Sequence, residues 1–283
     1  MTMRHFLCLL CLALLCAGTL QAAQGPGPDP LRDLARIKQD SNPARLDALK
    51  EILRERKIPF ELQRFPSAPS THGRTRGTNL ILSFGKGARE ITVCAHYDVV
   101  ESREGGLIGG NVDNGSAAII LTRLASALKD QTLRHRVRVV LFDMEEIGSP
   151  GSKAYIAAHK PEIAAAINVD IAGMGSILAY APGKAEGVAD IQKAIGAACA
   201  ELHHTCMEFP NFPPSDDRSF HAANLPAVSV AFIPPLSAMD KIQSMMKLLH
   251  SPEDNLDKID AASFDPAIQV VLKTVLKLDE ILE

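Results

Sequence analysis

Val137-Arg138-Val139-Val140-Leu141-Phe142-Asp143-Met144-Glu145-Glu146 passes from a β-branched, apolar run into acidic residues within a few positions. The apolar part has the composition of a buried strand. The glutamate pair at its end needs a partner, because unpaired carboxylates taken out of water cost several kcal/mol. A cation is the simplest one. The same layout recurs on both sides of this run. Upstream, residues 91–95 are apolar and His96 and Asp98 follow them; downstream, the run 166–171 carries Asp170 near its end. Between these strands lie segments with apolar residues at helical spacing, 117–128 and 152–159. Further strands are expected at 79–84, 177–180 and 227–232, and further helices at 33–57, 191–202 and 267–282. Alternation of this kind predicts an α/β fold with a largely parallel sheet covered on both faces. Ligands in such folds sit beyond the carboxyl ends of the strands, at a switch in strand order.

The chain has 283 residues, 46% of them hydrophobic, and a net charge of -3, enough for one substantial core. Basic residues form no long run. The densest patch, Arg134 to Arg138, reads as a solvated loop before a strand, which argues against a nucleic-acid partner. Residues 6–20 are apolar, follow Arg4 and His5, and are closed by Ala22 and Ala23, the layout of a cleavable secretory signal. The run is short for a membrane span, which needs about 20 apolar residues. The expected organisation is a signal peptide over residues 1–23 and a single domain over 24–283. The product is a monomer, bacterial and either secreted or periplasmic, with no membrane attachment. Cleavage leaves Cys94, Cys199 and Cys206. Cys199 and Cys206 can pair only if their helix ends near His203, since two full helical turns would hold them about 10 Å apart.

Acidic and histidine residues gather where strands end. Asp113 adds to them from the glycine-rich turn Gly109-Gly110-Asn111-Val112-Asp113-Asn114-Gly115. Imidazole and carboxylate donors together suit zinc. Asp98, two residues from His96, is placed to accept the second ring N–H and fix the tautomer. One glutamate of the pair can bind metal while its neighbour takes a proton from water.

The ordered series Ala95-His96-Tyr97-Asp98, Val112-Asp113-Asn114-Gly115-Ser116, Phe142-Asp143-Met144-Glu145-Glu146-Ile147-Gly148, Asn168-Val169-Asp170-Ile171-Ala172-Gly173 and His250-Ser251-Pro252-Glu253-Asp254-Asn255 resembles the M28 family of zinc aminopeptidases. The resemblance runs from about residue 79 to 259. It implies a three-layer α/β/α sandwich with a mixed, mainly parallel central sheet. It implies two zinc ions per chain: Asp113 bridges them, His96 and Asp170 complete one site, and Glu146 and His250 complete the other. Glu145 becomes the general base and Asp98 its catalytic support, acting on peptides with a free N-terminus. It also implies a cis peptide bond from Asp113 to Asn114. His221 competes with His250 for the last ligand position. Where many relatives carry Ser-Asp-His, this chain has Asp217 in place of the histidine. Two rivals remain: a single-zinc transferase like the glutaminyl cyclases, disfavoured by the absence of tryptophan, and a zinc-binding protein without catalysis, disfavoured by Glu145.

Overall fold

The computed structural model describes residues 29–67, 73–182, 186–210 and 212–282. The expected signal segment lies outside them. Two helices open the described chain, α1 (Pro30–Ile37) and α2 (Asn42–Glu55), followed by strands β1 (Glu61–Pro66), β2 (Arg76–Phe84) and β3 (Glu90–His96). Helix α3 (Ser116–Leu128), strand β4 (Arg136–Phe142), helix α4 (Pro150–His159), strand β5 (Ile163–Val169) and strand β6 (Ile177–Tyr180) come next. The remainder is α5 (Val188–Leu202), β7 (Cys206–Glu208), α6 (Asp217–Ala222), β8 (Ala227–Ile233), α7 (Met239–Leu248) and α8 (Phe264–Ile281).

Eight strands among the described residues form one sheet in the order β1-β2-β4-β3-β5-β8-β6-β7. The central strands β4, β3, β5 and β8 run parallel, whereas β2 and β6 flank them antiparallel. Every residue of β3, β5 and β8 is buried, as expected for strands with helices on both faces. Side chains alternate along β3. Ile91, Val93 and Ala95 join the larger core with Leu34, Leu53, Ile119, Ile195 and Val271 of helices α1, α2, α3, α5 and α8. Cys94 faces the other way, into a smaller core with Tyr155 of α4 and Phe220 of α6. The result is a three-layer α/β/α sandwich with a mixed sheet.

The helix expected over 33–57 is two helices. Ser41 caps the second, its side chain accepting from the Ala44 N–H, and Pro43 sits in the first turn, where its missing N–H costs nothing. At the other end of the chain, α5 stops at Leu202 and His203 turns into the left-handed region, φ 51°. That stop brings Cys199 and Cys206 to a Cα separation of 6.1 Å, and they are joined by a disulfide.

The chain leaves β3 to build β4 on one side of it and then crosses to build β5 on the other. Strand order therefore reverses at β3, which opens a crevice beyond its carboxyl end. His96 is the last residue of β3.

Candidate metal centre

Three strand ends and two loops meet in this crevice. His96 ends β3, Glu145 and Glu146 follow β4 after Met144, and Asp170 follows β5. Asp113 comes from the turn before α3, and His250 lies two residues beyond α7. Non-glycine residues stand in the left-handed region at or beside three of these positions: Met144 (φ 68°), Ile171 (φ 68°) and His250 (φ 57°). A β-branched residue such as Ile171 adopts this geometry only where its surroundings impose it, and such positions cluster at functional sites.

The Asp113 carboxylate lies between two imidazoles. Its Oδ1 is 3.2 Å from His96 Nε2, and its Oδ2 is 3.3 Å from His250 Nε2. Asp170 Oδ1 stands 3.6 Å from His96 Nε2 on one side. Glu146 Oε2 stands 3.1 Å from His250 Nε2 on the other. The structure thus gathers all five expected ligands into two adjoining groups that share Asp113. His221 is elsewhere, its Nε2 donating to the Ala227 carbonyl at 2.9 Å. Asp217 turns back onto its own loop and accepts from the Ser215 N–H.

These groups suit a cation. Glu146 Oε1 and Asp170 Oδ1 are buried with no hydrogen-bond donor in reach, an arrangement that leaves an unmet demand for positive charge. Donor atoms of His96, Asp113 and Glu146 all fall within 4.8 Å of one another. With protein charges alone, burial together with Asp216, Asp170 and Asp98 lifts the Glu145 carboxyl to about 9. Burial and the neighbouring Asp113 lift Glu146 to about 7. Hydrogen bonds to Asp113 and Glu146 carry His250 up to about 10. A divalent ion beside Glu146 and His250 would lower their affinity for protons.

Other side chains hold these groups in position. His96 Nδ1 lies 3.1 Å from the Asp98 backbone carbonyl, so this nitrogen donates and Nε2 is left free towards Asp113. The Asp98 carboxylate is 3.6 Å from the same nitrogen, and it also accepts from the Glu145 N–H at 2.9 Å and the Glu146 N–H at 3.2 Å. Asp98 therefore links the end of β3 to the glutamate pair. Asn114 does the same for Asp113 and Asp170, donating to the Val169 carbonyl and accepting from the Ile171 N–H. The Asp113–Asn114 peptide bond is cis.

Asp254, four residues past His250, is fully buried and accepts from the N–H groups of Gly110, Asn111, Val112 and Asp113 at 2.7–3.2 Å. It fastens the turn of Asp113 to the loop of His250. The turn must be glycine here: a Cβ on Gly110, at φ 93°, would sit 2.3 Å from Val99 Cγ2. In the sequence Asp254 is one residue of the motif from His250 to Asn255 and nothing there marks this role. A carboxylate four residues beyond a candidate ligand is too common a pattern to single out.

The profile of peptidase family M28 matches residues 79–275. The chain belongs to this family. Membership in M28 makes it a zinc-dependent metallo-exopeptidase, in keeping with the donor set just described. Its fold is similar to that of BSAP, a zinc aminopeptidase from Bacillus subtilis, with a TM-score of 0.70 at 15% identity over 87% of this chain and 93% of that one. It is similar in the same way to the LapA aminopeptidase of Legionella pneumophila, with a TM-score of 0.70 at 15% identity over 90% and 71% of the two chains. A glutaminyl cyclase from an Acidobacteriales bacterium gives a TM-score of 0.68 at 17% identity over 92% and 99%. No curated protein matches the M28 chain in sequence.

Proposed function

We propose that this M28 member is an exported aminopeptidase that binds two zinc ions and hydrolyses the first peptide bond of peptides with a free N-terminus. The observation that carries this reading is the Asp113 carboxylate, which turns one oxygen towards each histidine. In it, His96 and Asp170 would hold one ion and Glu146 and His250 the other, with Asp113 available to each. When bound, zinc supplies Lewis-acid polarisation of a carbonyl and lowers the pKa of water to about 7.

Glu145 takes the proton from the attacking water and delivers it to the leaving amine. Burial and the surrounding carboxylates raise its affinity for a proton, and bound cations pull it back, which suits a group that must both accept and release one near neutral pH. Asp98 holds the backbone of Glu145 and Glu146 while its own carbonyl orients His96. Replacing Asp98 by Ala is expected to lower kcat or zinc affinity by about 10- to 100-fold, as for other outer partners of metal ligands. An Asp98→Ala protein with wild-type kcat and zinc affinity would remove this role. The acidic crevice also favours an α-ammonium group beside the metal ligands, and this supports removal of terminal residues over internal cleavage.

Export is read from the signal-like residues 1–23 and is supported by the Cys199–Cys206 disulfide, which belongs to oxidising compartments. No helix among the described residues is long and apolar enough to cross a membrane.

A glutaminyl-cyclase reading draws on the fold shared with solved cyclases. One experiment separates the two: zinc content of the purified protein together with product release from unblocked, N-acetylated and N-terminal glutaminyl peptides. Two zinc ions per chain and free amino acids from unblocked peptides alone are expected. One zinc ion with pyroglutamate formation would replace the peptidase by the cyclase, and zinc without turnover would leave a binding protein.

A further inference from the structure

Arg45 lies in α2, outside the segment matched by the family profile, and only 2% of its surface is exposed. A buried guanidinium usually faces a carboxylate. This one donates only to backbone carbonyls: Nε to Tyr97 at 2.8 Å, Nη1 to Ile37 at 3.0 Å and Nη2 to Gly110 at 3.3 Å. Tyr97 stands between His96 and Asp98. Gly110 opens the turn whose N–H groups Asp254 gathers and which ends at Asp113. One side chain therefore ties the end of β3 to the turn of the shared aspartate from behind. One turn earlier on α2, Asn42 grips the same segment: its Nδ2 donates to the Val99 carbonyl at 3.0 Å and its Oδ1 accepts from the Val99 N–H at 2.9 Å.

We propose that Arg45 is a positioning residue of the metal centre, fixing the distance between His96 and Asp113 through the Tyr97 and Gly110 carbonyls. The rigid planar fork of arginine suits this task, since it serves carbonyls that lie in different directions at once. Lysine presents a single ammonium and cannot span all three. The inference rests on the two-zinc reading only in what the turn holds; that Arg45 fixes the turn is a separate matter.

The test compares three variants of the full mature protein with wild type: Arg45→Met, Arg45→Lys, and Leu278→Ala, a core truncation in α8 that serves as a control for lost stability. All are assayed well below their melting temperatures for amide hydrogen exchange without metal, for zinc affinity by competition with a chelator, and for kcat and KM. Arg45→Met is expected to speed exchange at Gly110–Asp113 at least tenfold, and to lower zinc affinity and kcat by about 10- to 100-fold with KM within threefold. Arg45→Lys should fall between it and wild type, whereas Leu278→Ala keeps wild-type exchange in this turn, zinc affinity and kcat. Unchanged exchange at Gly110–Asp113 in Arg45→Met overturns the proposal, as does a Leu278→Ala protein that loses zinc in step with its stability. If Arg45→Met yields no folded protein, Arg45→Lys is judged against the same control. A wild-type protein that takes up no zinc would defeat the metal reading instead, and the exchange data would still decide for or against Arg45.

Discussion

Exchanging Glu145 for Gln should lower kcat by about 10²- to 10⁴-fold while zinc content and KM stay near wild-type values. Glutamine has nearly the same shape and leaves intact the Asp98 contacts, because those reach the backbone N–H groups of residues 145 and 146 rather than the Glu145 side chain. What it lacks is a lone pair basic enough to take a proton. Loss of a positioned general base removes about 10²- to 10⁴-fold of rate, and a thousandfold loss corresponds to about 4 kcal/mol in the barrier. Steady-state kinetics beside metal analysis decide the matter. A Glu145→Gln protein that retains a tenth of the wild-type kcat would take the base role away from this residue, and one that loses zinc would make it a ligand.

Stripping the metal should lower the melting temperature by roughly 10 °C, and adding zinc back should restore it. Asp98, Asp113, Glu146 and Asp170 gather at one crevice, and buried Asp216 lies near enough to feel the charges of Asp98 and Asp170. Burial and the nearby Asp98 and Asp170 hold Asp216 up at about 7. Zinc at a thousand times its dissociation constant adds about 4 kcal/mol to the folded state, and each kcal/mol is worth about 2–4 °C in a domain of this size. The pH dependence has a definite sign in the stripped protein. Glu145, Glu146 and Asp216 keep protons in the folded state to higher pH than in the unfolded chain, and so does His250. The folded state then binds more protons between about pH 5 and 9, so its stability falls as pH rises through that window. Bound zinc flattens the fall. Calorimetric melting with and without zinc at pH 5.5, 7 and 8.5 tests this. A shift of less than 2 °C on zinc addition, or a stripped protein that grows more stable towards pH 8.5, would contradict the arrangement described for these carboxylates.

The strands that carry the site were legible because burial on both faces writes them as apolar runs: β3, β4, β5 and β8 fall within a few residues of their expected bounds. Edge elements left fainter traces. β1 has mostly exposed or half-exposed side chains and β7 has three residues, so neither makes a run that stands out. The break between α1 and α2 was written in Ser41-Asn42-Pro43 but is masked by apolar spacing that continues across it. At the site, the side chains that face one another across the crevice come from motifs at strand ends and were all named. Arg45 carried no mark in the sequence, and Asn114 and Asp254 stood in motifs without a positioning role, for a common physical reason. Their partners are backbone carbonyls and N–H groups, which every residue possesses, so nothing in the partner's identity marks the contact.

His96 and His250 stand 154 positions apart, and the side chains facing Asp113 are complete only once the chain beyond β8 has returned to it. A chain that emerges from its N-terminus therefore lacks His250 opposite Asp113 until its last third arrives. The sheet closes at Ile233, but His250 arrives only with the loop beyond α7, so the last of these side chains is set by the return of the chain rather than by the sheet itself.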